Sequence, residues 1–252
     1  MAEPYSRLVE VYDEIVVDPC HEGWAAYLDD QWRGDPDAVR TVLDLCCGTG
    51  LMTVALTRLG YQVTGIDASL PMLARARQRV GPDTVLLQQT LPDLAVDGVF
   101  DAGVCTFDGL NYLTPEDFGR TLKAVGHRLR PGGWLAFDLH TDAMLAFAAS
   151  HPVLSGQASG KSFTISNTVD LQARSCATQI DVDGPGDRDT FSERHRQFFF
   201  PAADVRRALA NAKFGSPAVT DEYTDQAATP STLRATWISR RLPAATTVGF
   251  GS

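Results

Sequence analysis

The residues of this chain that could do chemistry fall in three places. The first is the stretch 41–50, Thr-Val-Leu-Asp-Leu-Cys-Cys-Gly-Thr-Gly. A loop of small residues from Cys46 to Gly50 follows an apolar run (Val42, Leu43, Leu45). It precedes Leu51, Ala55, Leu56 and Leu59, which recur at helical spacing up to Gly60. Glycines in such a strand-to-helix turn let a ligand approach the backbone closely. The second place is Asp67, at the end of the next strand-like segment, 62–66. A carboxylate there can accept two hydrogen bonds from ribose hydroxyls. The third is a set of histidines, His140, His195 and His21, each a candidate base. Together they describe a site for an adenosine-containing cofactor. The dinucleotide pattern needs a glycine where Thr53 stands, and a phosphate loop needs Gly-Lys-Ser/Thr; neither is present.

Elements must hold these residues together. Tyr5, Leu8, Val9, Tyr12, Ile15, Val16, Trp24, Tyr27, Leu28 and Trp32 suggest two helical pieces broken near Pro19. Beyond Asp67, Ser69 caps a helix to Val80 with Pro71 in its first turn, and Thr114 caps another to Leu129. Strands are expected at 84–88, 99–106 and 134–139. Strand alternating with helix means a doubly wound, mostly parallel sheet. After residue 150 the pattern becomes strand after strand, at 162–170, 175–182 and 190–199, an antiparallel meander. A helix over 203–214 and a hairpin of 218–223 with 233–241 return the chain to the sheet edge. The expected division is a helical cap at 1–40, a core at 41–150, the meander insertion at 151–200, the core's completion at 201–242 and a disordered tail at 243–252.

Asp44-x-x-Cys47-Gly48-Thr49-Gly50 matches the first motif of the class I S-adenosylmethionine (SAM) methyltransferases, and the chain resembles that family. The resemblance implies a Rossmann-like, seven-stranded α/β sheet carrying the meander as an insertion, with SAM as cofactor. Ligands of open parallel sheets bind beyond the carboxyl ends of the strands. The cofactor is therefore expected against Asp44, Cys46, Gly48, Thr49, Gly50, Asp67, Ala68, Met72, Gln89, Thr90, Leu91, Cys105 and Thr106, with Tyr12 as a cap. Thr90 stands where the family commonly has an acid for the adenine amino group. The sulfonium and methyl group are expected at 105–108. His195 and His140 are the leading bases, since both segments should roof the methyl group. Tyr12-Asp13, Phe107-Asp108-Gly109-Leu110-Asn111-Tyr112-Leu113 and Phe137-Asp138-Leu139-His140 are similar to a bacterial small-molecule subgroup. The segment 189–200 is similar to the last meander strand of nucleotide-sugar N-methyltransferases of antibiotic pathways. In those the meander serves the substrate side and often a dimer interface, which makes a homodimer an expectation.

Composition sets the bounds. A chain of 252 residues at 44% hydrophobic content can bury a sizeable core. Its net charge of −9, without a basic run, speaks against a nucleic-acid substrate. Five cysteines, two of them adjacent, suggest reduced thiols in a cytoplasm, and no spacing of cysteine and histidine suggests a metal site. No leader is evident and no apolar run approaches the roughly 18 residues of a membrane span. The expectation is a cytoplasmic methyltransferase acting on a nitrogen or oxygen of a small-molecule acceptor, in antibiotic-type specialised metabolism. Two rivals share the cofactor motifs: a SAM-binding enzyme of cyclase type that does not transfer methyl, and a non-catalytic SAM-binding partner protein.

Overall fold

A computed structural model describes residues 4–15, 20–158, 160–186 and 190–243. A short 3-10 turn, Leu8–Glu10, leads into α1 (Tyr12–Ile15) and α2 (Cys20–Trp32). The alternating part follows as β1 (Thr41–Leu45), α3 (Leu51–Arg58), β2 (Gln62–Asp67), α4 (Leu70–Arg79), β3 (Val85–Gln88), β4 (Phe100–Cys105), α5 (Pro115–Arg128) and β5 (Leu129–His140). Then come α6 (Asp142–Ser150), β6 (Val153–Ala158), β7 (Lys161–Asp170), β8 (Ser175–Asp183) and β9 (Phe191–Phe198). The chain closes with α7 (Ala202–Asn211), β10 (Ala218–Asp221) and β11 (Arg234–Arg240).

The main sheet has seven strands in the order β10-β11-β5-β4-β1-β2-β3. Only β11 runs against its neighbours, pairing antiparallel with both β10 and β5. Strand order reverses between β1 and β4, and a crevice opens there beyond their carboxyl ends. Apolar stripes of α5 and α7 (Phe118, Leu122, Val125, Val205, Leu209) cover one face of the sheet. Trp24, Leu28 and Trp32 of α2, with Met52 and Leu56 of α3, cover the other. Both expected caps are in place: Ser69 Oγ accepts the Met72 N–H at 3.3 Å, and Thr114 Oγ1 accepts the Asp117 N–H at 3.2 Å.

The meander is larger than the sequence pattern suggests. It is a separate antiparallel sheet of four strands, β6-β7-β8-β9. The added strand β6 is an exposed edge, so no alternation of apolar residues marks it. Helix α6, also unexpected, packs Leu145 and Ala148 against Cys176 and Phe199. The expected break near Pro19 lies outside the described residues, as does the expected tail beyond Pro243. No helix among the described residues is long and apolar enough to cross a membrane.

Candidate active site

The glycine loop is held from below. Gly48 has φ +53°, in the left-handed region that favours glycine, and a Cβ built there would meet nothing within 4 Å. Its N–H donates to Asp67 Oδ2 at 2.9 Å, while the Ser69 N–H donates to Oδ1 at 2.8 Å. Burial raises the Asp67 carboxyl, and the N–H groups of Ser69, Gly48 and Ala68 oppose that shift. Each carboxylate oxygen keeps a lone pair for a further donor. From above, Thr49 Oγ1 donates to Asp13 Oδ1 at 2.6 Å, and Arg79 Nη2 contacts Asp13 Oδ2 at 2.6 Å. These bonds tie α1 across the loop.

A cavity of about 840 Å³ lies over this loop, within the size range of small-molecule sites. Tyr12, Cys46, Gly48, Thr49, Asp67, Ala68, Met72, Gln89, Thr90, Leu91 and Thr106 all line it. Asp44, Gly50 and Cys105 do not. Asp44 turns beneath the loop and accepts the Thr53 hydroxyl at 2.5 Å; burial, partly offset by that bond, pushes its carboxyl up to about 7. Gly50, at φ +82°, leaves only 3.1 Å between a Cβ and Ala76, so its smallness serves packing against α4. Cys105 is buried behind Cys46 and Gly109.

The far end of the cavity is aromatic. Tyr5, Tyr12, His21, Phe107 and Tyr112 line it. Phe107 and the next residue, Asp108, have φ of +64° and +51°, an unfavourable conformation for side-chain-bearing residues. Asp138 imposes it, accepting the Phe107 N–H at 2.8 Å, the Asp108 N–H at 2.6 Å and the Tyr223 hydroxyl at 2.9 Å. Arg234 then bridges to Asp108 Oδ1 at 2.8 Å and lies 4.4 Å over the Phe107 ring. On its other side the ring stacks on His21, with centroids 5.5 Å apart and planes 11° apart.

Neither leading histidine reaches the cavity wall. His140 turns into the charged cluster, with Nε2 3.4 Å from Asp108 Oδ1, and burial lowers its pKa. His195 is 5% exposed, so its side of β9 faces neither a wet pocket nor bulk solvent. Its Nδ1 is 3.0 Å from the Tyr112 hydroxyl, and its Nε2 is 3.4 Å from Glu193 Oε2 without an aligned hydrogen bond. The histidine on the cavity wall is His21. Sequence reasoning did not single out Tyr5, Ser6 or Phe107 individually, and it read Tyr112 only as part of a motif.

The residues fit SAM. The loop offers open space above Gly48, and Asp67 offers free acceptor lone pairs beside it. When bound, SAM supplies a methyl group carried on a positive sulfur. Asp67→Ala removes charge-assisted hydrogen bonds worth about 1.5–3 kcal/mol each, so calorimetric titration should show SAM binding weakened at least about tenfold. Unchanged affinity in a folded variant would take Asp67 out of the site.

A doubly wound sheet with this loop and this acid defines a class: proteins built to bind SAM. Comparison with known proteins supplies the reaction. A family model described as "Methyltransferase domain" matches residues 42–133. A Bacillus subtilis (strain 168) protein named as a methyltransferase, YqeM, is 32% identical over 228 residues, spanning 88% of this chain and 90% of its own. The chain belongs to the SAM-dependent methyltransferase family. Its fold is similar to a SAM-dependent methyltransferase from Clostridium acetobutylicum ATCC 824, with a TM-score of 0.82 at 20% identity, covering 96% of this chain and 100% of that one. It is also similar to SAM-bound CalS10 from Micromonospora echinaspora, an amino pentose methyltransferase involved in calicheamicin biosynthesis. There the TM-score is 0.71 at 22% identity, covering 96% and 99% of the two chains.

Proposed function

We propose that this enzyme methylates a nitrogen of a small molecule, an amine of amino-sugar type in antibiotic-type specialised metabolism, with an oxygen acceptor as the second reading. The observation that carries the proposal is the aromatic end of the cavity. Tyr5, Tyr12 and Tyr112 cluster on the cavity wall, the latter two rings 5.5 and 5.7 Å from that of Tyr5. Aromatic faces attract an ammonium by about 0.5–2 kcal/mol, and methylation of an amine leaves an ammonium product. A neutral hydroxyl gains no such term. The amino pentose acceptor of CalS10 supports the same class.

A protonated amine must first lose its proton to free the attacking lone pair, and His21, on the cavity wall, is the proposed acceptor of it. Holding the acceptor in line does the rest, since well-oriented reactants reach effective molarities of about 10⁵ M or more. All five cysteines are free, in keeping with a reducing cytoplasm. The four-stranded sheet is the surface on which a homodimer would form. The test is incubation with SAM and paired acceptors, amino sugars and their hydroxyl counterparts, free and nucleotide-linked. Mass spectrometry should find S-adenosylhomocysteine together with an N-methylated amine. Methylation of the hydroxyl members alone would favour the second reading, and methylthioadenosine as the product would replace both with a cyclase-type reaction.

A further inference from the structure

The segment before α1 is bound to the meander by one carboxylate. Glu193 on β9 is 2% exposed, and burying a carboxylate is costly unless its oxygens are hydrogen-bonded. Its donors come from the other end of the chain. The Tyr5 N–H donates to Oε2 at 2.7 Å, and the Ser6 hydroxyl, the Arg7 N–H and the Leu8 N–H donate to Oε1 at 3.1, 2.5 and 2.9 Å. Burial alone would raise this carboxyl; the nearby His195 and the N–H groups of Arg7, Leu8 and Tyr5 bring it down to about 2. Leu8 and Val11 pack on Val182 and Phe191 beside it.

The clasped segment crosses the cavity. Pro4, Tyr5 and Ser6 form part of its wall. The Tyr5 carbonyl accepts the Ser69 hydroxyl at 3.2 Å, next to Asp67, and the Tyr5 hydroxyl meets that of Tyr112 at 2.6 Å. Tyr5 itself has φ +61°, a conformation a tyrosine holds only when its surroundings enforce it. The strap thus runs from the meander to the cofactor loop, over the chamber.

We infer that Glu193 is a positioning residue: it clasps residues 5–8 over the cofactor chamber and sets the rate at which spent cofactor leaves. Release of product through a covering segment limits turnover in many enzymes. The four hydrogen bonds above all come from the strap, while the meander's own His195 stands 3.4 Å away without an aligned hydrogen bond. The inference does not depend on which acceptor is methylated.

The experiment is stopped-flow dissociation of S-adenosylhomocysteine, chased with excess SAM, on the full chain. Glu193→Ala removes the clasp from the meander side. Arg7→Pro removes it from the strap side, deleting one donor at a residue whose φ of −120° proline cannot adopt. Arg7→Ala keeps that N–H but loses the side chain's contacts with the Thr190 carbonyl and the Phe191 ring, so it is the reference for Arg7→Pro. Glu193→Ala should speed release by about tenfold or more over wild type, Arg7→Pro by about tenfold or more over Arg7→Ala, and with Glu193→Ala in place Arg7→Pro and Arg7→Ala should release alike. Hydrogen exchange at residues 5–8 should rise in the two fast variants. If Glu193→Ala fails to fold, Arg7→Pro decides alone. Release from folded Arg7→Pro no faster than from Arg7→Ala overturns the inference, as does the same gap persisting with Glu193→Ala in place.

Discussion

Gly48→Val is expected to give a folded protein that no longer binds SAM. Gly48 sits at φ +53°, where a β-branched residue is strained by about 1–3 kcal/mol. Against a typical total stability of about 5–15 kcal/mol, that strain leaves the native state populated. Nothing of the protein lies within 4 Å of the new Cβ, so the valine has no internal clash to relieve and no reason to disturb β1 or α3. The open space it fills belongs to the cavity. Affinity should fall by at least about 10²-fold, equivalent to ~2.7 kcal/mol. Calorimetric titration measures the loss, and circular dichroism near wild type confirms the fold. Gly48→Ala, with a smaller side chain on the same backbone, should fall between the two. Retained SAM binding in Gly48→Val would mean that the loop is an ordinary turn.

Sequence made the loop legible because its determinants are local. An apolar run, a loop of small residues and a helical repeat lie within the twenty positions 41–60, and Ser69 and Thr114 announce their helices by capping N–H groups three residues on. The β10–β11 hairpin was visible for the same reason. The aromatic end of the chamber was not, because its members come from the strap, α1, α2 and the segment after β4, and only packing brings them together. Strand periodicity put His195 on one side of β9 with Glu193 and Gln197. It could not say what that side faces. Polar residues normally mean water, but here backbone N–H groups from the opposite end of the chain satisfy Glu193, and Gln197 donates to Asp108 at 2.6 Å. Asp44 and Cys105 show the complementary limit. Both stand at the carboxyl ends of central strands, where ligands bind, yet both point beneath the loop rather than over it.

His21→Ala is expected to lower turnover of the true acceptor by about 10² or more, the range for loss of a general base, with SAM affinity little changed. The argument is one of elimination among cavity groups. Burial raises the phenols of Tyr5, Tyr12 and Tyr112, so at neutral pH they hold their protons. Burial likewise raises the Cys47 thiol. Asp67 already receives two backbone N–H groups beside the cofactor loop. Asp117 is engaged at the start of α5, accepting the Thr114 hydroxyl at 2.9 Å and contacting Arg120 at 3.0 Å. Cys46 and His21 remain, and of the two the imidazole is the more usual general base; His21 stacks on Phe107, with Nδ1 3.6 Å from Cys20 Sγ. His195 and His140 stand behind the wall, against the Tyr112 hydroxyl and Asp108. Their alanine variants should therefore lose less than His21→Ala. The competing explanation is that His21 is only a packing partner for Phe107 and Trp24. His21→Phe separates the two, since it keeps a stacked ring and removes the nitrogens. A base predicts that His21→Phe is as slow as His21→Ala, while packing predicts near-normal turnover in His21→Phe. If His21→Phe turns over normally, proton removal does not pass through His21, and positioning of the acceptor alone carries the reaction.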